Sequence, residues 1–245
     1  MSFSKKYNIN YYNCDQNLEL SIVSLIRFFE DIAIVHSNSV QLGFKFYNEN
    51  KVAWYLTRWL VNVKDLPKFN ETITVVTNPK SFYNFYANRE YVVLNEKGDE
   101  IVSANTLWVF LDSETLKPKK IPENVFKGYG LNDDGRKFFS KLNEVILPNE
   151  FAACSNFRIL QRDIDYNNHV NNSQYISYAL ETINPEFLKS HRITKLEVNY
   201  LKEAYLNDFI SVHTSKTSPD DKELFHLISK SNAELCKIKS NWMLR

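Results

Sequence analysis

The chain has 245 residues, 44% of them hydrophobic and 24% charged, with 17 Phe and 14 Tyr. So much apolar and aromatic material excludes a disordered chain and can fill the core of one large domain or two small ones. A formal net charge of +1 excludes a global pull toward nucleic acid or anionic membrane, so any charged partner must be met by a local patch.

Cys14, Cys154 and Cys236 are odd in number, widely spaced and without a Cys-x-x-Cys pair. That fits a reducing compartment and neither a disulfide framework nor a zinc ribbon. The opening Met1-Ser-Phe-Ser-Lys-Lys-Tyr-Asn-Ile-Asn10 has no apolar signal segment. No run approaches the ~20 apolar residues of a membrane span. These features lead us to expect a soluble, cytoplasmic protein.

From Leu20 to Ser39 the residues Ile22, Val23, Leu25, Ile26, Phe29, Ile32, Ala33, Ile34 and Val35 recur at helical spacing on a face wide enough for a helix covered on most sides. Gly43 marks where the chain leaves it. The period then changes to that of strands, at Val52–Val63, 72–77, Tyr86–Leu94 and 100–111, the last two joined by the turn Asn95-Glu-Lys-Gly-Asp99. Residues 112–148 lack sustained alternation, hold three prolines, and read as a connector with one short helix near Arg136–Leu142. Between positions 117 and 141 it carries seven basic residues (Lys117, Lys119, Lys120, Lys127, Arg136, Lys137, Lys141) against three acidic ones. Such a run is either a solvated linker or a patch that steers an acidic partner.

After the connector the pattern repeats. Leu60–Val75 lies over Glu197–Val212 at a constant offset of 137, with Val61, Asn62, Asn70 and Val75 matching Val198, Asn199, Asn207 and Val212. Glu100–Trp108 lies over Glu234–Trp242 at an offset of 134. Helix, strands and turn recur in the same order, which argues for a duplicated α+β unit. The expected organisation is a first copy over 1–115, a connector over 116–150 and a second copy over 151–245.

Each copy places polar residues before its long helix. The first has Asp15, Asn17 and Glu19; the second has Asp165, Asn167 and His169, ahead of a helix expected over 173–183. If this stretch is extended, side chains alternate and Asp165, Asn167 and His169 share one wall. Asp and Asn here serve equally well as helix caps, so the histidine is what the second copy adds. His36, His191, His213 and His226 have no metal-ligand spacing and read as structural. Trp54, Trp59, Trp108 and Trp242 read as packing, with Trp54 also a candidate for lining a cavity.

The run Asp163-Ile-Asp-Tyr-Asn-Asn-His-Val-Asn-Asn172 with Tyr175-Ile176 resembles the acyl-ACP thioesterases of fatty acid synthesis. So do Leu196–Glu203, Trp108–Pro122, Leu56–Val63 and Asn70–Val75. The resemblance implies a tandem hotdog fold, each copy an antiparallel sheet wrapped around a long helix. It also implies hydrolysis of fatty acyl-ACP, an acyl carrier protein as partner, and neither cofactor nor metal. Self-association as a homodimer is left open. Carried over, the family's catalytic groups fall on Asp165, Asn167, His169 and Glu203. Plant members have a cysteine after that glutamate; here the residue is Ala204, which excludes a Cys-His mechanism at this site. The competing functions are an acyl-CoA thioesterase, a hotdog dehydratase, and an acyl- or carrier-binding module with a dead site.

Overall fold

The structure is a computed structural model that describes residues 2–131, 139–215 and 222–245. It divides into two compact units, Met1–Leu142 and Asn143–Arg245.

In the first unit, β1 (Phe3–Asn8) is followed by α1 (Ile22–Ser39), α2 (Phe44–Asn50), β2 (Val52–Val63), β3 (Thr72–Tyr83), β4 (Tyr86–Leu94), β5 (Glu100–Asp112) and α3 (Glu123–Gly128). The strands form an antiparallel sheet in the order β1-β3-β4-β5-β2. As its wide apolar face requires, α1 is largely covered; only Arg27, Ile34, Asn38 and Ser39 are exposed. Its Phe29 meets Trp59 and Tyr91 of the sheet at ring-centroid distances of 5.6 and 4.8 Å, and none of the three is more than 2% exposed. Ser21 caps α1 by accepting the Ser24 amide, and α2 then starts at Gly43. A Cβ at Gly43 would sit 1.6 Å from the oxygen of the exposed Asn38 side chain and 3.0 Å from its Cα, so a larger residue there requires that side chain to swing away.

The second unit repeats the plan with β6 (Ala153–Arg158), α4 (Asn172–Leu180), α5 (Pro185–Ser190), β7 (His191–Tyr200), β8 (Phe209–Thr214), β9 (Glu223–Lys230) and β10 (Ala233–Leu244). Its strand order, β7-β10-β9-β8-β6, is that of the first unit strand for strand. The agreement reaches single residues. Asn70 and Asn207 share a left-handed φ of 70°, and their amides donate to Ile9 and Ile159 respectively. An aromatic pair recurs with its hydroxyl moved: Tyr7 on Phe28 in one copy, Phe157 on Tyr178 in the other. The expected duplication of helix and sheet is present.

Several expectations are corrected. The sequence reading omitted the edge strands β1 and β6, because their alternation is carried by polar residues such as Ser4, Lys5 and Lys6. β3 runs past 77 to Tyr83 despite Pro79. That proline lies beyond the reach of β1, which ends opposite Thr77, and beside a bulge, where a lost N–H is tolerated. The second long helix ends at Leu180 and not at 183, and α5 restarts at Pro185 with Asn184 as its cap. In the connector the helix is α3. Residues 139–142 are not helical, and Arg136 and Lys137 lie outside the described residues. Asn88 of β4 pairs with both backbone groups of Ser140 and ties that segment to the sheet.

Among the described residues, His226 on β9 has both ring nitrogens buried without a hydrogen-bond partner. Burial pushes its pKa down to about 4. The unfolded chain, with an ordinary value of about 6.5, takes up a proton first as pH falls. This group's contribution is therefore intact above about pH 6.5 and is lost progressively toward pH 4. Replacing His226 by Leu should raise stability relative to the parent by a margin that grows toward pH 4, to an order of 3 kcal/mol. Urea midpoints at pH 7 and pH 4.5 check this; an equal margin at both would refute it.

Candidate active site

The site is built on a loop that the fold closes tightly. A single 3-10 turn, Gln161–Asp163, brings the buried Asp163 carboxylate under the chain. Its Oδ2 accepts the Leu160 amide at 2.7 Å and the Tyr178 hydroxyl of α4 at 2.8 Å. Ile164 and Val170 then bridge, and between them the Asp165 amide donates to the His169 carbonyl at 2.9 Å. Asn168 takes a left-handed φ of 66° to complete the turn. The stretch is thus a closed loop and not the extended wall expected from alternation. Asp165 and His169 face each other because the loop returns on itself.

His169 stands between two carboxylates. Its Nδ1 lies 3.7 Å from Asp165 Oδ1 and its Nε2 lies 3.5 Å from Glu203 Oε1. Both distances exceed an ordinary hydrogen bond, and catalytic hydrogen bonds of this kind are often long before substrate binds. All three side chains are about one-quarter exposed, open enough to meet a ligand. Asp165 Oδ1 also accepts the Asn167 amide at 2.8 Å, and the Asn167 side chain approaches Oδ2 at 3.4 Å. The structure therefore brings together Asp165, His169 and Glu203 directly, and adds the exposed Asn167 through Asp165.

Glu203 is held in reach from two sides. The Val170 amide donates to the Ala204 carbonyl at 2.9 Å, and the Ala204 amide donates to the Tyr175 hydroxyl at 3.0 Å. Ala204 is wholly buried, so it works as a backbone clamp between the loop and α4. The Tyr205 hydroxyl donates to Glu203 Oε2 at 2.8 Å, and that bond raises the tyrosine's own pKa. At the N-terminus of α4, Asn171 accepts the Ser173 amide with its side chain and the Gln174 amide with its carbonyl. Those two amides are therefore engaged in capping.

The first unit contains the same loop. Asp15 bonds to the Glu19 carbonyl, Asp15 Oδ1 accepts the Asn17 amide at 2.8 Å, and Leu18 has a positive φ of 57°. The position matching Glu203 is the buried Leu66. Asp165 accepting an amide thus belongs to the fold, whereas the imidazole and the second carboxylate occur in the second copy.

A family model described as the acyl-ACP thioesterase N-terminal domain matches residues 1–129, and one described as the C-terminal domain matches residues 148–244. The chain belongs to the acyl-ACP thioesterase family. The chloroplastic palmitoyl-acyl carrier protein thioesterase of Gossypium hirsutum is 28% identical over 213 residues, 82% of this chain and 52% of that protein. The chloroplastic dodecanoyl-[acyl-carrier-protein] hydrolase of Cinnamomum camphora is 25% identical, covering 98% of this chain and 67% of its own. The chain thus spans about half to two-thirds of the length of the curated relatives it matches. Among solved structures, a putative oleoyl thioesterase of Lactobacillus plantarum superposes with a TM-score of 0.89 at 21% identity, covering 100% of this chain and 96% of its own. The 12:0-ACP thioesterase of Umbellularia californica gives 0.85 at 19%, covering 100% and 98%. These likenesses carry the tandem hotdog fold.

Other sequence candidates lie in packed surroundings. His36 and His191 are buried and stack on Phe3 and Phe187. Trp54 packs on Phe110 and Phe82 in the core of the first unit. Sequence reasoning gave no role to Tyr205, Tyr175 or Asp163. For Tyr205 a signal existed: it is two residues from Glu203, a spacing that puts side chains on one side of an extended chain.

Proposed function

We propose that this chain hydrolyses the thioester of fatty acyl-[acyl carrier protein], releasing free fatty acid. The observation that carries this reading is His169 set between Asp165 and Glu203 with an amide side chain alongside, in a chain of this family. Glu203 and His169 deprotonate a water, which attacks the acyl carbonyl carbon. Asn167 donates its side-chain N–H to the carbonyl oxygen as negative charge builds there. The proton then passes from His169 to the departing thiolate, a good leaving group that needs little help. Asp165 holds the loop closed and keeps Nδ1 of His169 oriented, leaving Nε2 for the water and Glu203.

The carrier protein is acidic in this reading and is steered by the connector. Lys119 pairs with Asp112 and Lys127 with Glu123, which leaves Lys117, Lys120 and Lys141, among the described residues, as exposed charges outside those pairs. Reversing Lys117 and Lys120 to Glu should raise KM for acyl-ACP several-fold, more at low salt, and leave a small acyl thioester unaffected. The deciding measurement is turnover of purified protein on matched panels of acyl-ACP and acyl-CoA across chain lengths. Preference for acyl-CoA transfers the function to a CoA thioesterase, and no turnover of either panel makes the chain a binding module.

A further inference from the structure

We infer that Tyr205 is a positioning residue, its hydroxyl fixing the Glu203 carboxylate so that one oxygen faces His169. This rests on the proposed role of Glu203 as part of the base. Tyr205 is 49% exposed, so core packing does not account for its ring. Its hydroxyl nevertheless donates to Glu203 Oε2 at 2.8 Å, while Oε1 lies 3.5 Å from His169 Nε2. The hydrogen bond to Oε2 restricts rotation of the carboxylate and leaves Oε1 on the His169 side.

The duplicated fold separates this bond from a structural one. In the second copy the Tyr205 amide donates to Asp208 Oδ2 at 2.9 Å and the Asp208 amide returns to the Tyr205 carbonyl at 3.1 Å. In the first copy the matching residues, Lys68 and Glu71, make the same two bonds at 2.8 and 3.1 Å. The turn therefore forms with a lysine where the second copy has tyrosine. What the tyrosine adds is the bond to Glu203, in the copy that also has His169. Asp208 is further tied to Lys230 of β9 at 2.7 Å, which anchors the turn under the ring. The charged groups around Glu203 are thus His169, with Asp165 beyond it, and the Asp208–Lys230 pair beneath Tyr205.

The test compares the parent with Y205F, Y205K, E203Q and the double variant Y205F/E203Q, reading kcat and KM separately on acyl-ACP. Y205F should lower kcat about ten-fold with KM nearly unchanged, the scale of one hydrogen bond to a charged group. Y205K should fold as the parent does, as Lys68 shows the turn allows. The double variant should be no slower than E203Q. An E203Q enzyme with parental activity removes the reading of Glu203 itself. If E203Q is impaired but Y205F keeps the parental kcat, the inference about Tyr205 alone is overturned. A Y205F chain that fails to fold overturns it too, since the residue is then structural.

Discussion

Replacing His169 by Ala should lower kcat/KM on acyl-ACP by at least ~10²-fold, with E203Q falling in the same range. The two residues act as one base, so the H169A/E203Q pair should lose little more than either single change. Both side chains are partly exposed, so the variants should melt close to the parent. Near-parental turnover in both single variants would sink the assignment. Asp165 is expected to differ. Its Oδ1 accepts the Asn167 amide, as Asp15 accepts the Asn17 amide in a copy without histidine. An Asn at 165 keeps an acceptor there and should be much milder than an Ala. Turnover in heavy-oxygen water decides the chemistry. A nucleophilic Asp165 would carry the label into its own carboxylate, whereas water activated by Glu203 and His169 puts it only in the fatty acid.

Asp163→Ala should strongly damage the second unit, destabilising it by about 3 kcal/mol or more. The carboxylate is 6% exposed and satisfies two donors, the Leu160 amide and the Tyr178 hydroxyl, and truncation strands both. These bonds tie the site loop to α4, so activity should fall with stability. Asp163→Asn should cost far less, since Asn13 fills the same place in the first copy and accepts the Asn10 amide at 3.1 Å. Thermal melting of the three proteins checks this. Equal melting of the Ala and Asn variants would show that the buried acceptor is unimportant.

Much of this was legible in the chain. The wide apolar stripe of α1 and the alternation in β2, β4 and β5 follow from side-chain periodicity, which is local. The two copies share residues such as Asn70 and Asn207, because the same left-handed turn selects the same residue twice. The edge strands were not legible, since polar residues such as Lys5 and Ser155 occupy their half-buried positions and mask the alternation. Nor was the end of the second helix, where Pro185 and its Asn184 cap set a boundary that apolar spacing runs straight through.

The candidate site divides in the same way. Sequence alone determined its membership: Asp165, Asn167 and His169 lie within five residues, and the repeat marked His169 as the addition by setting it opposite Glu19. Resemblance supplied Glu203, 34 positions beyond His169 and unremarkable by itself. Only the tertiary structure decided how these residues meet. Alternation in an extended strand would have made a flat wall, but the Ile164–Val170 bridge and the left-handed Asn168 close a loop that sets Asp165 against His169. The Val170–Ala204 bond then carries Glu203 to the other side of the ring, and the Asp208 turn aims Tyr205 at Glu203. Those bonds join residues distant in the chain, and local spacing holds no record of them.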